Sequence, residues 1–236
     1  MGIAVVTVNS GYGYFSMLRF LLLGERQKNV RWFMDQYTEY RAKFPKAQMD
    51  FIGHSNGTYL LASALRHYET CNFSRIVFAG SVVPTSFPWD KLISQNRVTA
   101  IRNYVATSDF IVGIFPGIFE LLKLSDLGSA GHNGFRDTSG KLHAIEFIKG
   151  GHNAAISWSN YEPMVNFIIS PEIIETSISK ESDQNRNVVF FSKINWAVWI
   201  SLLLIVFGLG YCIFTHFGLI SLAAYVVIFT ALLYTI

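Results

Sequence analysis

Three polar side chains, far apart in the chain, have the types and settings needed for acyl-transfer chemistry. Gly53-His54-Ser55-Asn56-Gly57 is a G-x-S-x-G sequence that follows a short apolar run and precedes a helix-like one. In that context the motif reads as a sharp strand-to-helix turn that exposes Ser55. A serine hydroxyl is a weak nucleophile until a base removes its proton, and the base should be a histidine oriented by a carboxylate. The expected base is His152, in Gly150-Gly151-His152-Asn153, where the glycines leave room for the imidazole to reach Ser55. His132, in Gly131-His132-Asn133-Gly134, is the second choice. The expected acid is Asp109, in Ala106-Thr107-Ser108-Asp109, ahead of Asp90, Asp126 and Asp137. The ordinary use of such an Asp is a helix N-cap or a turn. The Asn56 N–H, at a helix start, is the expected first donor to a developing oxyanion. A second donor is sought in the Ser10–Tyr14 turn, at Gly11 and Tyr12. His54 is expected to pack beneath the serine turn, and His67 and His143 to be surface or structural residues.

Alternating elements are needed to bring these positions together. Ile3–Val8 is a β-branched apolar run that ends at Asn9-Ser10-Gly11, so a buried strand is expected. Arg26–Phe44 carries apolar residues at helical spacing (Val30, Phe33, Tyr37, Tyr40, Phe44), and Pro45 follows. Short strands are expected at Met49–Gly53, Arg75–Gly80, Val98–Ala106 and Ala144–Lys149, with helices at Gly57–Tyr68 and Tyr161–Ile169. Strands alternating with helices imply a mostly parallel sheet covered on both faces, with ligands at the carboxyl ends of its strands. Ser55, Asp109 and His152 all fall at such ends. The apolar stretch Phe110–Leu124 follows the acid. It reads as core packing or, more sharply, as an acyl-chain wall or a lid lying on a membrane.

Other chemistries have little support. Gly11-Tyr12-Gly13-Tyr14-Phe15-Ser16 begins like a dinucleotide fingerprint, but its last position is Ser and the next residues do not form a suitable helix start. There is no phosphate-binding loop of the G-x-x-x-x-G-K type and no H-E-x-x-H sequence. The two cysteines, Cys71 and Cys212, make neither a metal motif nor a disulfide framework. No metal and no cofactor are expected. A net charge of +3 is too small for nucleic-acid binding through a basic field.

With this order of Ser55, Asp109 and His152, the chain resembles the α/β-hydrolase superfamily, and more closely bacterial serine-hydrolase-like proteins of that fold. Further matching stretches are Gly11–Phe15, Gly80–Val83, Phe87–Trp89, Asn103–Asp109 and Gly128–Phe135, and the likeness covers roughly residues 3–170. The resemblance implies a serine hydrolase that cleaves a carboxylic ester or thioester through an acyl-enzyme. It also marks a departure. The superfamily places three strands and a helix before the strand expected at Ile3–Val8, and a loop after one of them supplies an oxyanion donor. Losing one such donor typically costs about a hundred- to thousandfold in rate. A start site assigned too late, a short or covered sheet and a decayed enzyme are the competing explanations, the first being preferred. The alternative function is a catalytically inactive or truncated hydrolase-fold scaffold or interaction protein in the membrane.

The chain divides by charge. Lys193 is the last Lys, Arg, Asp or Glu, and residues 194–236 carry none. A bilayer core of about 30 Å takes about 20 helical residues, so this tail is long enough for two spans. The expectation is a transmembrane hairpin, Ile194–Phe214 and Phe217–Tyr234, turning at Thr215-His216-Phe217-Gly218. Trp196 and Trp199 fit an interfacial belt, and Arg186 and Lys193 before the first span favour a cytoplasmic domain. The expected layout is a hydrolase-like domain at 1–170, a polar linker at 171–193 and the hairpin at 194–236. The expected partners are the membrane and an ester or acyl small molecule or lipid; no protein partner is implied.

Overall fold

The computed structural model describes residues 23–122, 126–136, 143–169 and 184–235. The strand expected at Ile3–Val8, the turn residues Gly11 and Tyr12, and Asp137 lie outside them. The first helix among the described residues, α1 (Leu23–Lys43), buries Val30, Met34 and Tyr37 and ends before Pro45 with Arg41 and Lys43 in its last turn. Cations there face the negative end of the helix dipole. Then follow β1 (Phe51–His54), α2 (Asn56–His67), β2 (Phe73–Ala79), α3 (Trp89–Ser94), β3 (Val98–Ala106) and α4 (Phe110–Leu122). The short α5 (Ala130–Asn133) leads to β4 (His143–Ile148), two 3₁₀ turns (Ala154–Ile156 and Trp158–Asn160) and α6 (Tyr161–Ile169). The C-terminal part is α7 (Arg186–Lys193) and α8 (Asn195–Thr235).

The four strands form one sheet in the order β1-β2-β3-β4, every pair parallel. Successive strand residues point to opposite faces, so a sheet covered on both sides must be apolar on both. On β3, Ile101 joins one cluster with Leu61, Phe78 and Trp89, while Ala100 and Tyr104 join a second with Met164 and Phe167 of α6. Each large side chain buried this way contributes about 1.5–3 kcal/mol. The sequence reading left α3 unassigned. Its start is fixed by Trp89, which is fully buried against the rings of Phe78, Phe87 and Phe135.

The stretch read as a polar linker ends in structure. Asn185 caps α7 by accepting from the Asn187 N–H, its own N–H donates to the Thr107 carbonyl, and Val188 is fully buried. The apolar block Val188–Phe191 gives α7 a face that packs on α4. After Ile194, α8 runs as a long apolar helix, a candidate membrane span over Asn195–Ala231. Its backbone is non-helical at Gly218 (φ 79°, ψ −174°). The Tyr225 hydroxyl donates to the Val206 carbonyl at 3.1 Å, and Gly210 lies against Tyr225 and Leu222.

Candidate active site

Ser55 stands between β1 and α2 with φ 51° and ψ −121°. A residue with a Cβ holds such a conformation only where its surroundings impose it, at a cost on the order of 1–3 kcal/mol. Here they do. The Ser55 N–H donates to the Ala79 carbonyl at 3.0 Å, which ties the turn to the end of β2. The Thr58 hydroxyl donates to the Ser55 carbonyl at 2.7 Å and accepts from the Val82 N–H at 3.2 Å. The turn is therefore fixed to the loop after β2 from two sides. The Asn56 N–H opens α2, where no intrahelical acceptor exists, so it is free to meet an anion.

Asp109 is fully buried after β3. Its Oδ1 accepts the Val112 N–H at 2.9 Å and its Oδ2 accepts the His152 Nδ1–H at 2.9 Å. One oxygen of the carboxylate thus caps α4 and the other holds His152. His152 follows β4 and has Nδ1 occupied as donor, so Nε2 keeps its lone pair. The loops that carry the two residues are bound to each other: the Ser108 N–H donates to the Gly150 carbonyl (2.7 Å) and the Gly150 N–H to the Thr107 hydroxyl (3.1 Å).

Ser55 and His152 belong to opposite edge strands of the described sheet, three strand spacings apart, or about 14 Å at the sheet. The loop after β4 shortens this separation by folding back over β3 to the end of β2. A Cβ at Gly80 would lie 2.8 Å from the His152 Cε1 and 3.0 Å from its Nδ1, and Gly80 has φ +55°. The imidazole thus rests on the backbone of Gly80, next to the Ala79 that holds Ser55. Within the described residues, the Ser55 hydroxyl makes no hydrogen bond, with His152 or any other group.

The other histidines divide clearly. His54 lies beside His152 rather than simply under the turn, with ring centroids 4.8 Å apart, and its Nε2–H donates to the His152 carbonyl at 3.3 Å. Burial, and then the neighbouring His152, hold its pKa below the usual value. His132 is buried against Gly113 of α4, with Nε2 at 3.2 Å from the Ser192 hydroxyl of α7 and Nδ1 without a hydrogen-bond partner among the described residues. Burial lowers its pKa too, with Asp109 opposing. His67 bonds within its own helix, to the Ser63 carbonyl. Asp126 is engaged with Arg26 and Tyr59, and Asp90 lies in the first turn of α3. Among the described residues no group of His, Cys, Asp and Glu is arranged to hold a metal ion.

Gly80 and Thr58, which lie against His152 and hold the Ser55 turn, carry no distinctive mark in the sequence. The signal at Gly80 was a glycine at a strand end, one among several. Compared with family models, with curated proteins and with solved structures, the chain matches none.

Proposed function

We propose that this chain is a membrane-anchored serine hydrolase of the α/β-hydrolase type, which cleaves a carboxylic ester or thioester through an acyl-enzyme. The observation that carries the reading is the Asp109–His152 pair resting on Gly80, beside the strained turn that presents Ser55. His152 Nε2 takes the Ser55 proton as Oγ attacks the carbonyl carbon. The carbonyl oxygen becomes an oxyanion facing the Asn56 N–H, with Gly11 and Tyr12 the proposed source of a second donor. Collapse of the tetrahedral adduct breaks the bond to the alcohol or thiol, which leaves with the proton from His152. Water, deprotonated by His152, then releases the acid and restores Ser55. Asp109 holds the Nδ1–H tautomer and stabilises the imidazolium. The hydroxyl must swing onto Nε2, a contact of the kind that tightens when substrate binds.

The anchor is proposed as a two-span hairpin with residues 1–193 on the cytoplasmic side. Unbroken helix would put residues 206 and 225 about 28 Å apart. The bond from Tyr225 to Val206, 19 positions apart in the chain, and the non-helical Gly218 support a chain that doubles back. Arg186 and Lys193 precede the first span and no Lys or Arg follows it, which supports the orientation.

The test is labelling of the full chain by a fluorophosphonate. Native protein should label and Ser55→Ala should not; equal labelling of both would remove Ser55 as the nucleophile. A second reading, an inactive hydrolase-fold scaffold, draws on the missing Ser55–His152 hydrogen bond. Failure of folded native protein to label would select it.

A further inference from the structure

Four exposed large apolar side chains come from two elements that follow or pack against the loop of Asp109. Phe110 and Ile111 open α4, directly after Asp109; Phe190 and Phe191 lie on α7. They are between 39% and 58% exposed. Phe191 sits 6.2 Å from Phe110 and 5.6 Å from Phe190, centroid to centroid, so the three rings form one patch, and Ile111 follows Phe110 in the chain. A contiguous exposed apolar patch marks a surface that meets something apolar.

The chain itself indicates the partner. Only Ile194 separates α7 from α8, so Phe191 precedes the first residue of the membrane-span candidate by four positions. The helix that carries the other half of the patch, α4, is fastened to α8. The Trp199 Nε1–H donates to the Ile114 carbonyl of α4 at 3.4 Å, and Trp199 meets Phe119 at 6.1 Å. Trp196, half exposed, and Trp199 are the residue type that settles at the headgroup boundary. Arg186 and Lys193, both exposed at the two ends of α7, can reach lipid phosphates.

We propose that the beginning of α4 and the exposed Phe190 and Phe191 of α7 are seated in the bilayer surface, so that the rim of the site beside Asp109 meets lipid. The proposal rests on the membrane reading of α8 and concerns where the domain sits, not its chemistry. It is tested on the full chain in vesicles of phosphatidylcholine and phosphatidylserine. Cys212→Ser removes the exposed thiol; Cys71 is buried with its pKa pushed up to about 12 and does not react. A nitrobenzoxadiazole reporter is placed through Ile111→Cys, Phe190→Cys or Glu39→Cys. The control, Glu39, is exposed near the C-terminal end of α1, close to Tyr37, whose hydroxyl donates to the Thr70 carbonyl before β2, at the opposite end of the strands from the site.

At 111 and at 190, phosphatidylcholine with a nitroxide near the headgroup should quench roughly fivefold or more above the control, and iodide should quench correspondingly less. Equal iodide quenching at all three positions, with no lipid quenching at 111 and 190, overturns the seating. Lipid quenching at 190 without 111 also overturns it, because α4 would then stand clear of the bilayer. Quenching involves no reaction at Ser55, so this proposal and the hydrolase reading can fail independently.

Discussion

Gly80→Ala separates the role of His152 from general stability. The backbone at Gly80 has φ +55°, where a Cβ costs about 1–2 kcal/mol. The new methyl would lie 2.8 Å from the His152 Cε1, whereas ordinary carbon contacts are about 3.5–4.0 Å. The ring must therefore retreat by about 0.7 Å or more. It cannot do so freely, since Nδ1 is bound to a fully buried carboxylate at 2.9 Å and the His152 carbonyl accepts from His54. Misplacing a reacting group by about 1 Å costs roughly hundredfold in rate. The expected result is a fluorophosphonate labelling rate lowered about hundredfold in protein whose unfolding free energy falls by only about 1–2 kcal/mol. Gly24→Ala is the matched control: its Cβ meets nothing within 4 Å, so stability should change by no more than about 1 kcal/mol and labelling should not change. Labelling rates come from timed gel fluorescence on the detergent-solubilised full chain, and stability from urea titration by circular dichroism. If folded Gly80→Ala labelled within about threefold of native, His152 would not be the proposed base.

Other predictions use the same two measurements. Ser55→Gly should abolish labelling and raise stability by about 1 kcal/mol net, because glycine relieves the strained turn at some entropic cost; lower stability would mean that the turn is not strained. Asp109→Asn should lower labelling roughly 10⁴-fold, since the amide favours the wrong His152 tautomer. It can still accept the Val112 N–H, so Asp109→Ala should lose about 1 kcal/mol more as the α4 cap goes; equal melting of the two variants would refute the capping role. His54 and His132 both have folded pKa values lowered by burial from 6.5. The unfolded chain therefore takes up protons first, and the stability these residues contribute is complete above pH 6.5 and declines as pH falls below it toward the folded values. Urea midpoints should drop between about pH 7 and pH 5, and the His54→Gln, His132→Gln double variant should flatten that drop; an unchanged slope would mean that neither ring is buried neutral.

Much of the scaffold was readable because local patterns and global packing agree. Val98–Ala106 and Tyr161–Ile169 are found with the boundaries that their apolar spacing implies, and the alternating order gives the parallel four-strand sheet. The uncharged tail, likewise, is a long apolar helix, since composition alone decides that a segment has no polar face. At Asp109 the sequence left capping and acid roles open, because each needs the same residue at the same position. Only the fold could show that one carboxylate has oxygens for both. At Arg186–Lys193 the surrounding charged and amide residues hid an element whose Val188 is fully buried against the domain, a contact made by residues about eighty positions away.

The sequence by itself determined which segments form strands and helices, that polar groups gather at strand ends, and that the last stretch avoids water, because these depend on side-chain period and hydration over a few turns of chain. Tertiary structure decided which histidine faces Asp109. His132 and His152 sit in nearly identical glycine-flanked sequences, yet one is enclosed beneath α4 and α7 while the other is carried across two strand ends onto Gly80. That choice depends on backbone close approach between distant segments, which no local pattern encodes.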